Sequence, residues 1–168
     1  MAVILETARI RLREYRHDDL DDLAAMFADE EHMRFYPRPK TRDEALAWID
    51  WNLGLYEKHG FGLWVMESRT TGEFLGNCGL TPQTVEGVTD IEVGWHTKRS
   101  HWDQGLATEA AGACLERAFG DLGLKRVISI IRPENIASAR VAENIGMHPE
   151  KAAFHGGFPH VIYAIERG

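Results

Sequence analysis

The sequence predicts an α/β (layered α+β) fold in which helices flank a mixed sheet. One observation is that strand patterns dominate the middle of the chain, after which the order becomes β-α-β-α-β-β. Another is the run 124–131, which is apolar apart from Lys125, Arg126 and Ser129 and therefore suits a strand buried on both faces. A chain of 168 residues is expected to form a single domain, residues 1–168.

The first third of the chain is predicted to hold one strand and two helices. Residues 9–13 alternate arginine with isoleucine or leucine, which is typical of a half-exposed strand. A helix is expected to begin at Asp18 or Asp19, where acidic residues suit the positive end of its dipole. Residues 41–44, Thr-Arg-Asp-Glu, form a capping-box pattern that opens a second helix ending near His59.

The middle of the chain is predicted to form three strands. The ranges 60–69 and 74–80 are joined by the turn Thr-Thr-Gly-Glu, which predicts a hairpin. Gly87 marks a further turn before the strand 89–97.

Two helices and three strands complete the predicted order. One helix is expected from near Ala107 to about Gly120, before the strand 124–131. A second helix is capped by Asn135 and ends at Gly146. Two last strands, residues 148–153 and 160–166, are joined by a Gly-Gly turn, and an edge strand there could pair with a second copy to give a homodimer.

The composition excludes several functional classes. The formal charge is −7 and the basic residues are scattered, so nucleic acid is not an expected partner. Residues 1–6 lack the basic start of a signal peptide, and no apolar run approaches the ~20 residues that span a bilayer, so we expect no membrane partner and a cytoplasmic location.

Cys78 and Cys114 lie in apolar stretches and are interpreted as core residues. No metal site is expected, because the histidines and cysteines fit no zinc spacing.

The range 102–107, Trp-Asp-Gln-Gly-Leu-Ala, is a turn that follows a strand and leads into a helix. The N–H groups at the start of a helix lack partners within it and lie at the positive end of its dipole, so they attract phosphate. Neither the G-x-G-x-x-G fingerprint nor the P-loop pattern is present.

Three sequence blocks resemble the GNAT superfamily of acetyl-CoA-dependent N-acetyltransferases, in particular the ribosomal-protein N-terminal (RimJ/RimL-type) branch. They are residues 5–13, the loop and helix start 102–110, and the N-x-x-S-x-R-V-x-E-x-x-G-M pattern of residues 135–147. The resemblance implies a mostly antiparallel sheet whose fourth and fifth predicted strands, 89–97 and 124–131, splay apart, with a bulge near Gly94. It also implies acetyl-CoA as cosubstrate. It assigns the binding of this molecule to Val93, Trp95, Thr97, Gln104, Gly105, Leu106, Ala107, Thr108 and Asn135.

The same resemblance suggests the catalytic residues Glu92 and Ser138. Glu92 matches a general base, although a strand carboxylate can also be purely structural. Ser138 matches a residue near the leaving thiolate, although it could equally cap the first turn of its helix. Many relatives carry a tyrosine acid where this chain has Ala142, and Asp103 stands where the branch usually has glycine. A carboxylate there is unfavourable beside a diphosphate.

These features predict transfer of an acetyl group from acetyl-CoA to a primary amine, either a protein N-terminus or a small molecule, by direct attack in a ternary complex. Neither cysteine has a partner that would make it a covalent nucleophile. Trp51, Trp64 and Tyr36 are candidates for lining the acceptor pocket, although such aromatic residues more often belong to the core. The alternatives are a catalytically weak acyl-CoA-binding sensor or scaffold, and an interaction protein that uses the fold without cofactor.

Overall fold

The computed structural model describes residues 3–168, which form one eight-stranded sheet with helices packed against it. Met1 and Ala2, the start of the N-terminal stretch considered above, lie outside the described residues. The strands are β1 (Val3–Glu6), β2 (Ile10–Arg13), β3 (Leu63–Ser68), β4 (Phe74–Val85), β5 (Val88–Thr97), β6 (Arg126–Ile131), β7 (His148–His155) and β8 (Phe158–Glu166). The α-helices are α1 (Leu20–Ala28), α2 (Arg42–His59), α3 (Leu106–Phe119) and α4 (Ile136–Asn144).

The sheet is mixed and mostly antiparallel, as predicted. Its order is β1-β2-β3-β4-β5-β6-β8-β7, and β5 with β6 is the parallel pair. These two strands share a single register pair, Glu92 with Ile128, whereas β4 and β5 pair along the whole of β5. The predicted splay between β5 and β6 is therefore confirmed, and it opens a gap in the middle of the sheet.

The predicted bulge at Gly94 is wrong. The register between β4 and β5 runs without a shift from the pair Gly76–Thr97 to the pair Val85–Val88. Gly94 lies opposite Gly79, whose missing side chain lets β3 approach: a Cβ there would stand 2.1 Å from the Gly62 carbonyl oxygen. The gap beside β5 is thus produced by the divergence of β6 and not by an extra residue.

The N-terminal segment differs from the single half-exposed strand that alternation predicted. It forms two antiparallel strands, β1 and β2, and Arg13 is only 4% exposed. The Arg13 guanidinium donates hydrogen bonds of 2.9 and 2.7 Å to the two Asp19 carboxylate oxygens and one of 2.9 Å to Glu67. A buried guanidinium is tolerated because both partners are carboxylates that meet its hydrogen-bonding geometry.

Two predicted helix starts are confirmed by their caps. The Thr41 hydroxyl accepts a hydrogen bond from the Glu44 N–H while the Glu44 carboxylate accepts one from the Thr41 N–H, which is the predicted capping box of α2. The Asn135 side chain accepts from the N–H of Ser138 at the start of α4. None of the helices in residues 3–168 is long and apolar enough to cross a bilayer.

The main core lies between the sheet and α3. Cys78 on β4 and Cys114 on α3 are both fully buried there with their sulfur atoms 3.7 Å apart, which confirms them as core residues. Trp64 is also fully buried in this core, so it cannot line an acceptor pocket. A second core cluster packs α1 and α2 against the sheet around Phe27 and Ile49.

Candidate active site

Two clefts share a wall beside the gap in the sheet. The strand cleft, about 360 Å³ in volume, lies over residues 92–96 of β5 and 129–131 of β6. The loop cleft, about 430 Å³, lies over residues 101–108 and the start of α4. Both volumes are typical of small-molecule sites. The residues that line both clefts are Phe35, Tyr36, Trp95, His96, Asn135 and Ser138.

The structure places every residue that the sequence assigned to catalysis or to cofactor binding on one of these clefts. Glu92 and Val93 line the strand cleft. Thr97 and the run 104–108, which comprises Gln104, Gly105, Leu106, Ala107 and Thr108, line the loop cleft. Trp95, Asn135 and Ser138 line both clefts and therefore stand where the two meet.

The start of α3 is open toward the loop cleft. Gly105 is its N-cap residue, with the left-handed angles φ 76° and ψ 12°, and it supplies no side-chain cap. Helices α2 and α4 each have such a cap. The first N–H groups of α3 have no partner within the helix, so they are available to an anion. An uncapped helix start facing a cleft of this size fits the diphosphate of coenzyme A.

The loop before α3 is held in place by the turn between β1 and β2. The Arg9 guanidinium donates hydrogen bonds of 2.8 Å to the Gln104 carbonyl oxygen and to the Glu109 carboxylate. The Thr7 hydroxyl donates to the second oxygen of Glu109. Because Glu109 lies in the first turn of α3, these contacts fix the helix start and the preceding peptide together.

Asp103 lines the loop cleft in a backbone conformation that favours glycine. Asp103 is exposed and has φ 62°, a left-handed conformation that glycine adopts freely and aspartate adopts more readily than most residues. A glycine at this position would adopt the same backbone conformation without strain. Aspartate keeps that backbone shape but adds a negative charge to the cleft lining.

The backbone of β5 presents donors to the gap. The Ser129 hydroxyl donates a 2.7 Å hydrogen bond to the Val93 carbonyl oxygen, so the polar groups of Val93 point toward β6. Direction alternates along a strand, so the N–H of Trp95 points the same way. The splay leaves room between these groups and β6, where they could bind a polar chain or a developing oxyanion.

Glu92 is the single carboxylate among the described residues that line the strand cleft. One of its oxygens accepts a 2.8 Å hydrogen bond from the N–H of Ile130. Burial raises the pKa of Glu92 to about 7, and the hydrogen bond from Ile130 opposes that rise. A carboxylate with a pKa near 7 is matched to accepting a proton at neutral pH.

The contacts of Ser138 distinguish between its two proposed roles, as a cap of α4 and as a residue near the leaving thiolate. Its N–H is capped by Asn135 at 3.1 Å, whereas its hydroxyl oxygen accepts a 3.3 Å hydrogen bond from the Trp95 indole. The hydroxyl therefore does not cap the helix and keeps its own proton available at the junction of the clefts. Ala142, by contrast, is fully buried in the main core, so a tyrosine there would be overpacked.

A histidine pair lies at the junction: His96 lines both clefts and His32 lines the loop cleft. His32 Nε2 stands 3.2 Å from His96 Nδ1, and His96 Nε2 stands 3.5 Å from the Tyr36 hydroxyl. Burial, with a smaller effect from the neighbouring His32 and Lys40, lowers the pKa of His96 to about 3. His96 is therefore neutral at physiological pH and cannot supply a titration near 7.

Sequence reasoning missed much of the wall of the strand cleft. Phe35 and Trp48 line it from the first half of the chain, and Arg132, Phe158 and His160 line it from the second. One usable signal was the run Phe35-Tyr36-Pro37, which places two large aromatic residues directly before a helix-breaking proline. The residues near the β7–β8 turn carried no comparable signal.

The comparisons with known proteins agree with this geometry. Residues 9–148 match the family model described as "Acetyltransferase (GNAT) domain". The chain is 39% identical over 160 residues to the uncharacterized protein YkkB of Bacillus subtilis, covering 95% of this chain and 93% of that protein. It is 32% identical over 152 residues to an FsC-acetyl coenzyme A-N(2)-transacetylase of Aspergillus fumigatus, covering 85% of this chain and 64% of that protein.

Solved structures show the same fold. An acetyltransferase of Agrobacterium tumefaciens superposes with a TM-score of 0.85 at 26% identity, covering 97% of this chain and 94% of that one. The ribosomal L7/L12 α-N-protein acetyltransferase RimL, solved with coenzyme A, superposes with a TM-score of 0.79 at 15% identity, covering 98% of each chain. Binding of acetyl-CoA is typical of these proteins. The chain therefore belongs to the RimJ/RimL-like group of the GNAT family, and it is an acetyl-CoA-dependent N-acetyltransferase.

Proposed function

We propose that this chain, acting as one domain, transfers the acetyl group of acetyl-CoA to a primary amine by direct attack in a ternary complex. The observation that carries the proposal is the junction of the two clefts at Trp95, Asn135 and Ser138. One cleft has an open helix start suited to a diphosphate, and the other has a carboxylate suited to deprotonating an amine. Two substrates bound in these clefts would meet at the shared wall.

Each step of the transfer has a candidate residue. An amine is mostly protonated at neutral pH, so it must lose a proton before its nitrogen can attack. Glu92 would accept that proton, directly or through water. The N–H groups of Val93 and Trp95 would stabilise the negative charge that develops on the carbonyl oxygen. As the carbon–sulfur bond breaks, the nitrogen that is forming the amide loses its remaining extra proton. The Ser138 hydroxyl would pass a proton to the departing sulfur and take up the one released by the nitrogen, so that the serine stays neutral and the product is the thiol.

Binding of acetyl-CoA is proposed to use the residues assigned from the sequence. Backbone N–H groups of residues 104–108 would hold the diphosphate, with Thr97 lining the same cleft. Arg140, exposed on α4 at this cleft, adds a positive charge. The amide nitrogen of Asn135 remains free to donate, because its oxygen is used in the cap.

Steady-state kinetics with a panel of amines tests the proposal. Purified protein is mixed with acetyl-CoA and each amine, and free thiol is measured while both substrate concentrations vary. Direct transfer predicts release of thiol that depends on the amine, with intersecting double-reciprocal lines. Parallel lines would indicate a covalent acetyl-enzyme. Tight binding of acetyl-CoA without thiol release by any amine would favour the sensor module instead.

A further inference from the structure

The walls of the strand cleft are unusually aromatic at its open side. Trp51 and Tyr36 line it and are 40% and 42% exposed, although both are large apolar side chains. Phe35, Trp48 and Phe158 extend the same lining. Aromatic faces left open inside a concave site are suited to contact with an apolar or aromatic ligand group.

These rings are held in place before any ligand binds. Trp48 packs edge-on against Tyr15 and Phe27, with ring centroids 5.5 and 5.2 Å apart. The Trp51 ring lies 6.4 Å from that of Trp48. The Tyr36 ring lies 5.4 Å from that of His96. A fixed aromatic wall loses little entropy when a flat group packs on it.

The charges of the cleft limit what the acceptor can carry. Among its described lining residues, Glu92 is the one carboxylate and Arg132 is the one permanent cation. Burial lowers the pKa of His160, which also lines the cleft, so this ring is neutral at neutral pH. One ammonium group therefore finds a partner in Glu92, and a second would find no further carboxylate among these lining residues.

The two terminal nitrogens of the Arg132 guanidinium are already hydrogen-bonded within the protein. They donate hydrogen bonds to the Phe35 carbonyl oxygen at 3.1 Å and to the Glu134 carboxylate at 3.0 Å. The central carbon (Cζ) of the Arg132 guanidinium lies 4.6 Å from the centre of the Phe158 ring. The side chain thus joins two parts of the cleft wall, and its charge is balanced by Glu134. A substrate carboxylate would have to compete with these contacts.

We infer that the acceptor is a primary monoamine joined by a short chain to an uncharged aromatic ring. The ring would lie against Trp51 and Tyr36, with the amine directed to Glu92. This class excludes polyamines and aminoglycosides, which carry several ammonium groups, and amino acids, which carry a carboxylate beside the amine. The inference deepens the proposed function and rests on it.

The test compares kcat/KM for small amines that differ in one property. The probes are 2-phenylethylamine, n-butylamine, phenylalanine, spermidine and a short peptide with a free N-terminal serine. We expect 2-phenylethylamine to have the highest value, about tenfold above n-butylamine, because stacking adds to apolar burial. A higher value for spermidine, phenylalanine or the peptide would overturn the assigned class while leaving amine acetylation intact. Acetylation of none of the five would overturn the proposed function together with this inference.

Two matched variants locate the ring. Trp51→Ala removes an exposed aromatic inside the cleft, whereas Phe154→Ala removes one that is 67% exposed on β7 and lines neither cleft. We expect Trp51→Ala to lower kcat/KM for 2-phenylethylamine about fivefold to tenfold and that for n-butylamine less than about twofold. Acetyl-CoA affinity should not change in either variant. An equal loss in both variants, or no loss in Trp51→Ala, would contradict the placement of the ring.

Discussion

The indole nitrogen of Trp95 on β5 donates a 3.3 Å hydrogen bond to the hydroxyl oxygen of Ser138 on α4. This contact crosses the gap between β5 and the helix that follows β6, at the point where the two clefts meet. In this contact the Ser138 hydroxyl oxygen is the acceptor. The contact orients the hydroxyl group without using its proton. The contact therefore gives Ser138 a position suited to the leaving sulfur and distinguishes it from a helix cap.

Ser138→Ala should lower turnover with little effect on stability, whereas Asn135→Ala should lower stability. Asn135 caps α4, so its loss should cost about 0.5–2 kcal/mol of unfolding free energy. Ser138 does not cap, so Ser138→Ala should leave stability nearly unchanged and lower kcat while acetyl-CoA affinity holds. Denaturant unfolding, calorimetry and steady-state rates measure the three quantities. A Ser138→Ala enzyme with full turnover would mean that water protonates the thiolate.

Gly105→Val should weaken acetyl-CoA binding at least tenfold. A side chain at this left-handed position strains the backbone, since φ is 76°, and its Cβ would stand 3.5 Å from a nitrogen of the Arg9 guanidinium that holds the Gln104 carbonyl oxygen. Gly72→Val is the matched control, because Gly72 has φ 74° in the β3–β4 turn and lines neither cleft. Calorimetric titration should show weaker binding for Gly105→Val alone. Equal affinity in both variants would remove the diphosphate from this loop.

Replacing Asp103 should separate the effects of charge and backbone shape. Asp103→Asn removes the charge and keeps a residue that tolerates the left-handed region, whereas Asp103→Gly also relieves the backbone. We expect both to tighten acetyl-CoA binding several-fold at low salt, with a smaller gain at high salt because surface charges are screened. Only Asp103→Gly should also raise the melting temperature. Unchanged affinity in both would show that the carboxylate points away from the diphosphate.

The features of this protein that could be predicted are those that depend on residues close together in the sequence. The caps at Thr41 and Asn135, the turn at Gly105 and the buried strand β6 each follow from neighbouring residues. The predicted order of helices and strands was correct for the same reason, apart from the separate strand β1. The splay between β5 and β6 came from the family resemblance and not from these local patterns.

What the sequence could not show depends on partners far along the chain. Arg13 is buried because Glu67 and Asp19 approach it. The alternation of arginine with apolar residues in β2 gives no information about these two partners. The aromatic wall joins Trp51 to Phe158, which lie more than a hundred positions apart. Ala142 could be aligned with a catalytic position, but its burial in the core depends on how α4 packs.

Glu92→Gln should make the folded protein more stable at high pH. In the unfolded chain Glu92 would lose its proton near 4.5, whereas burial in the folded state raises its pKa to about 7. The folded state therefore holds an extra proton in this window, so its stability falls as pH rises through it and stays lower above 7. Glutamine cannot ionise, so we expect a gain of about 1–3 kcal/mol above pH 7 and none below about pH 4. Denaturant unfolding at several pH values measures this, and the exposed Glu57→Gln should show no such gain.

The dependence of kcat/KM on pH, measured for the wild type and Glu92→Gln with one primary amine, tests most directly whether Glu92 is the general base. We predict that wild-type kcat/KM rises with pH through a pKa near 7, because Glu92 must be deprotonated to accept the amine's proton. Glu92→Gln should lose this rise, should be about 10²–10⁴-fold slower at neutral pH, and should recover part of the deficit at high pH, where the amine itself is neutral. A Glu92→Gln profile equal to that of the wild type at every pH would contradict the role of Glu92 and leave it as a structural partner of Ile130.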